Sequence, residues 1–159
     1  MKGSVILLAS NPRGLFKEGI VYGTPYPGTL MTIKAATEPD GGGAFTWEPF
    51  NAGANGHQQL VAVLLEPFHG ASYATAYGTG ERCRVYCPAA GEELNMLVSA
   101  AGTGTGDAIA IGGLLIAVNS TGLLIATTGT VESEPFIAME TVADVVAGGT
   151  LVHCMYTGH

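Results

Sequence analysis

Leu114-Leu115-Ile116-Ala117-Val118-Asn119-Ser120-Thr121-Gly122-Leu123-Leu124-Ile125-Ala126 is the stretch that decides the fold class of this chain. Two short apolar runs flank a polar turn that closes on glycine, the pattern of a β-hairpin. Outward in both directions the punctuation recurs: β-branched or aromatic runs bounded by Gly, Pro, Asn or Asp, with helix-period patterns nearly absent. The runs predict strands over 5–9, 30–35, 45–47, 60–65, 82–87, 93–98, 114–118, 123–126, 136–140 and 151–156. After Pro135, an extended strand sets Phe136, Ala138 and Glu140 on the face opposite to Ile137, Met139 and Thr141. Two segments read as short helices, 58–65 stopped by Pro67 and 142–147 stopped by Gly148-Gly149. Neither is long enough to define a helical layer.

The chain has 159 residues, enough for one domain with a substantial core. Hydrophobic residues make up 47% and charged residues only 12%, about half the usual charged share of soluble domains. So little charge leaves a monomer's surface thinly covered and points to burial against other subunits. No apolar run reaches the ~18 residues of a bilayer-crossing helix; even 109–118 is broken by Gly112 and Gly113. The expectation is a soluble protein with no membrane partner, and the short N-terminal apolar run reads as mature sequence rather than a signal peptide. A formal charge of −7 with six Lys and Arg argues against nucleic acid, because neutralising phosphates needs clustered cations. The basic pair Arg82 and Arg84 shares one face of a predicted strand and reads as a solvated face.

Short strands at regular spacing predict an all-β fold, a small β-sandwich or barrel of jelly-roll-like or β-tulip-like kind, within a single domain over 1–159. Two regions look irregular. Residues 1–28 read as an extended N-terminal arm, with three Pro and four Gly between 10 and 28, and residues 37–57 as a long loop. Loops of this size in a compact domain are disordered or are ordered by a partner. Aromatics interrupt both, namely Phe16, Tyr22 and Tyr26 in the first and Phe45, Trp47 and Phe50 in the second, which makes these six the candidate partner-binding residues.

Candidate chemistry is sparse. Cys83 and Cys87 with His69 or His153 suggest zinc ligands, but on a strand the two sulfurs lie on one face about 13 Å apart, too far for a disulfide or shared ligation. Cys83, Cys87 and Cys154 read as buried free thiols in a reducing compartment. The histidines form no HExxH pair, and His153 reads as a satisfied strand residue. No G-x-S-x-G is present. Gly102-Thr103-Gly104-Thr105-Gly106-Asp107 lacks the Lys and helix of a phosphate loop and reads as a turn. Glu92 and Glu93 with Asp107 lack calcium-loop spacing, and Glu132 with Glu134 reads as a solvated turn. The expectation is no catalytic residue, no metal, no cofactor and no enzymatic activity.

The order of turns and strands carries a resemblance. Tyr77-Gly78-Thr79-Gly80-Glu81-Arg82-Cys83-Arg84-Val85-Tyr86-Cys87-Pro88 precedes Ala90-Gly91-Glu92-Glu93, then Gly112-Gly113-Leu114, then Thr121-Gly122-Leu123-Leu124. Pro135-Phe136-Ile137-Ala138-Met139-Glu140-Thr141 and Gly148-Gly149-Thr150-Leu151-Val152 follow. Over roughly 59–156 this resembles the capsid cement, or head decoration, proteins of tailed bacteriophages, although Gly149-Thr150 replaces their glycine-acid step before the last strand. The resemblance implies a homodimer or homotrimer that binds the major capsid protein outside an expanded head and stabilises contacts between capsid subunits. It implies a place on the virion exterior and synthesis in the bacterial host cytoplasm. The other readings are a carbohydrate-binding jelly roll of a virion or surface fibre, which would set Trp47 with Tyr22 or Tyr26 on an exposed platform, and a β-fold hydrolase with a dispersed site.

Overall fold

Strands that close into a ring can alternate in direction all the way round only if their number is even. A five-stranded ring must therefore contain a parallel pair, and this chain builds such a ring twice. The computed structural model describes residues 13–34, 45–51, 62–67, 74–100, 108–118, 120–127, 136–146 and 148–158. The first ring comprises β1 (Leu15–Val21), β2 (Leu30–Ile33), β3 (Phe45–Pro49), β4 (Ala62–Leu64) and β5 (Arg82–Cys87). The second comprises β6 (Glu93–Val98), β7 (Leu114–Ala117), β8 (Leu124–Thr127), β9 (Phe136–Ala138) and β10 (Thr150–Tyr156). Their orders are β1-β3-β2-β4-β5 and β10-β6-β8-β7-β9, both closed. The parallel pairs are β1 with β3 and β6 with β8.

The two rings have the same wiring. In each, the first strand pairs with the third and fifth, the second with the third and fourth, and the fourth with the fifth. The register agrees as well. Val21 opposite Trp47 corresponds to Val98 opposite Leu124. Trp47 and Leu124 in turn face Ile33 and Ala117, and two residues along those strands Met31 and Leu115 face Ala62 and Phe136. Leu64 faces Val85 as Ala138 faces Cys154, and Val85 and Cys154 face Lys17 and Leu94. Lys17 and Leu94 lie the same distance along their strands from Val21 and Val98, so the circuit closes without a residue of slip. Strand number and stagger together set a barrel's size and tilt, so the halves are two copies of one barrel design.

Alternation along the strands fills each lumen. Val21, Met31, Trp47, Leu64, Cys83 and Val85 pack in the first, with Tyr77 added from outside the strands. Val98, Leu115, Leu124, Ala138, Val152 and Cys154 occupy the equivalent places in the second. The outer faces of β2, β4 and β5 contribute Leu30, Val63 and Tyr86 to the same cluster as the second barrel's residues, so the barrels share apolar packing. Gly28 allows the close approach: a side chain there would meet Leu97 and Leu151 of the second barrel, and its φ of 88° favours glycine. The Gly28 carbonyl accepts the Leu97 N–H at 3.0 Å.

The all-β expectation holds, and the small barrel is the alternative realised. Arg82–Cys87 and Glu93–Val98 match the predicted strands, and the quoted hairpin forms, with Ile116 opposite Ile125 and Ala117 opposite Leu124. Two expectations are corrected. Residues 15–21 are not part of an arm: they pair on both sides as β1, and without them the first ring would be open. The loop expected over 37–57 contains β3, which runs beyond the predicted 45–47 to Pro49. Neither predicted helix forms within the described residues; 62–64 is strand, and Val142 makes a β-bridge with Ile109. The predicted strand 5–9, the Gly-rich run 102–107 and Glu132 with Glu134 lie outside the described residues.

Candidate functional site

A cleft of about 470 Å³ opens along the seam between the barrels. Its first wall is the chain leaving β1. The Tyr22 N–H donates to the Trp47 carbonyl at 2.8 Å, and Gly23, with φ of 86°, turns the backbone away. Thr79 then holds this turn from both ends, its hydroxyl donating to the Gly23 carbonyl at 2.9 Å and accepting the Gly23 N–H at 3.1 Å. The Tyr77 N–H donates to the Pro25 carbonyl at 2.9 Å, which fixes Tyr26 beyond it. The opposite wall is the β7–β8 turn, docked on the first barrel. The Ser120 N–H donates to the Phe50 carbonyl and the Leu30 N–H to the Gly122 carbonyl, each at 2.8 Å. A Cβ at Gly122 would stand 2.2 Å from the Leu30 carbonyl oxygen, so glycine is needed there for contact as well as for its φ of 64°. The turn that reads in the sequence as hairpin closure is thus also an inter-barrel joint.

Tyr22, Tyr26, Glu48, Asn51, Ser120 and Thr121 all line this cleft. Strand alternation delivers Glu48: its neighbour Trp47 is turned into the lumen, so Glu48 is on the outer face. The Lys34 ammonium rests 3.2 Å from the centroid of the Tyr22 ring, a cation–π contact that steadies the ring.

The six candidate aromatics are separated by the structure. Phe16, Tyr22, Tyr26 and Phe45 are exposed. Phe16 lies over Tyr86 with ring centroids 4.8 Å apart. Trp47 is 0% exposed within the first lumen, and Phe50 is half-buried against the shared cluster, so neither is a surface anchor. The platform of Trp47 with a tyrosine does not form; Tyr22 and Tyr26 come together without it.

A second constellation escaped the sequence reading. Glu92 is buried in the turn between β5 and β6, where its Oε2 accepts the Tyr86 hydroxyl and the Ala89 N–H, each at 2.7 Å. Its Oε1 accepts the Arg13 and Gly14 N–H groups at the entry to β1. The Tyr86 hydroxyl also accepts the Gly14 N–H at 2.8 Å. Burial pushes the Glu92 carboxyl up, but the hydrogen bonds from Ala89, Arg13, Tyr86 and Gly14 outweigh it and hold the group below its ordinary value. Burial, with the bond to Glu92, pushes the Tyr86 phenol up to about 12.

His153 is a satisfied strand histidine, as expected: its Nε2 lies 2.8 Å from Glu93 Oε2, and its N–H donates to Glu140 Oε1 at 2.7 Å. The thiols are buried, Cys83 and Cys87 in the first core cluster and Cys154 in the second. Burial pushes Cys83 up to about 12 and raises Cys87. Native protein is therefore expected to react with a disulfide reagent such as DTNB only as fast as it unfolds, because the thiolate is the nucleophile. Rapid stoichiometric labelling at neutral pH would contradict that burial. Among the described residues no group of three or more His, Cys, Asp or Glu is placed to hold a metal ion.

No protein-family model and no curated protein sequence matches the chain. A solved structure does. The N base of the head fiber gp8.5 of bacteriophage phi29 superposes with a TM-score of 0.54 at 10% identity, covering 91% of this chain and 94% of that one. The likeness is one of fold. It extends over both barrels.

Proposed function

We propose that this chain is a structural protein of a tailed-phage virion, carried on the outside of the head, where it binds the major capsid protein and stabilises contacts between capsid subunits. The observation that carries the reading is the end-to-end fold likeness to a phage head-fibre base. The turn-and-strand resemblance to cement proteins, reached from residues alone, points the same way. The side chains suit the role: Leu15 and Phe16 on β1 and Phe45 on the neighbouring β3 are exposed apolar groups available to be covered on assembly. Self-association as a dimer or trimer would cover more of a surface so poor in charge.

Purified protein mixed with expanded, undecorated capsids is expected to co-sediment saturably at a fixed ratio. Absence of saturable binding would overturn the reading. Because β1 closes the first barrel, the contact surface is tested by point changes rather than deletion: Phe16→Ser with Phe45→Ser is expected to weaken capsid binding by at least about tenfold, as loss of exposed aromatic anchors does. Circular dichroism of the free variant checks that both barrels still fold.

A further inference from the structure

We propose that the cleft between the barrels is a binding site for a neutral pyranose saccharide, a role beyond attachment to the capsid. A sugar presents an apolar face of C–H groups and a rim of adjacent hydroxyls. Its site therefore needs an aromatic ring to stack on and an acceptor able to take two hydroxyl protons together.

Both are here and unused. Tyr26 is 43% exposed on one wall, and neither its ring nor its hydroxyl meets a partner among the described residues. Glu48 lines the same cleft, and its carboxylate likewise has no partner among them. Two carboxylate oxygens match the spacing of neighbouring ring hydroxyls, and a charged acceptor makes stronger hydrogen bonds than a neutral one. Thr24, Ser120 and Thr121 add hydroxyls around the rim.

Charge selects the class. Among the described residues no Lys or Arg lines the cleft, and Lys34 beside it rests on the Tyr22 ring. With one carboxylate in the cleft and a net charge of −7 on the chain, a phosphate or a carboxylated sugar would be repelled. The volume of about 470 Å³ falls in the range of about 300–1,000 Å³ usual for small-ligand sites. Hydrogen bonds to the backbone tie down both walls, through the Thr79 clasp on one side and the docked β7–β8 turn on the other.

The test is amide NMR titration of the whole chain with maltose, cellobiose, lactose and chitobiose, one at a time, with inorganic phosphate as the anionic probe. Expected are saturable shifts confined to residues 22–26, 48–51 and 120–123 with at least one disaccharide, and none with phosphate. Tyr26→Ala and Glu48→Gln should each weaken that binding by about tenfold or more while the melting temperature and capsid co-sedimentation stay unchanged. Should Tyr26→Ala fold poorly, Glu48→Gln alone decides, since its side chain supports no contact in the fold. No saturable shift with any of the four sugars, or binding indifferent to Glu48→Gln, would overturn the proposal.

Discussion

Replacing Glu92 with glutamine, a change of one atom, is expected to cost about 2–4 kcal/mol of folding stability, read as a lowered denaturant midpoint. Each carboxylate oxygen accepts two donors, from Tyr86 and Ala89 on one side and from Arg13 and Gly14 on the other. An amide keeps one acceptor and turns a second set of N–H donors toward two of the four groups, whichever way it is flipped. Because the carboxylate binds the entry to β1 to the β5–β6 turn, the loss falls on closure of the first barrel and on its link to the second. A change within ±0.5 kcal/mol, the usual effect of a surface substitution, would show that Glu92 is not the clasp described.

The same residue sets a pH dependence. The folded-state pKa of Glu92 is lowered from an ordinary 4.5, so its stabilisation is complete above that value and is lost as pH falls through the lowered folded value. Stability of the wild type should decline on acidification below about pH 4.5, and the decline should be shallower in Glu92→Gln, which has no carboxyl there to protonate.

What the sequence disclosed and what it hid follow from particular residues. Arg82–Cys87 and Glu93–Val98 were legible because β-branched, aromatic and apolar residues crowd them between clear turns. Leu15–Val21 was not, because Lys17-Glu18-Gly19 interrupts the apolar alternation and only Gly19 and Val21 are buried. Glu92 was weighed only as a calcium ligand with Glu93 and Asp107, and its structural role was not read, because its donors come from Tyr86, Ala89 and the distant Arg13 and Gly14; nothing in the local string announces them. The cleft was half legible: Tyr22 and Tyr26 were singled out, but Glu48 was not, since its role comes from Trp47 facing inward beside it. The barrel duplication was hidden altogether. Equivalent positions hold Trp47 and Leu124, Gly19 and Met96, Ala62 and Phe136, so each lumen is filled with its volume distributed differently and pairwise identity disappears.

That redistribution yields the second large effect. Gly19 faces the first lumen because Trp47 occupies the space a side chain would take: a Cβ there would stand 2.4 Å from both the indole and the Phe45 carbonyl. Gly19→Ala is therefore expected to cost about 1–3 kcal/mol by overpacking, and Trp47→Leu about 2–4 kcal/mol by the cavity it leaves. The indole N–H finds no acceptor among the described residues, so Trp47 is held by fit rather than by a polar bond, and Trp47→Phe should be the mildest change at this position. In the second barrel the equivalent pair is Met96 with Leu124, both buried in the same wiring. Gly19→Met combined with Trp47→Leu transplants that solution into the first barrel. The double variant should be more stable than the sum of its single changes predicts by at least about 1 kcal/mol, because each substitution removes the defect made by the other. Far-UV circular dichroism in a denaturant series measures all four states of the cycle without the tryptophan signal that the double variant lacks. Strict additivity would mean that the two lumens, though wired alike, do not exchange volume between these two positions.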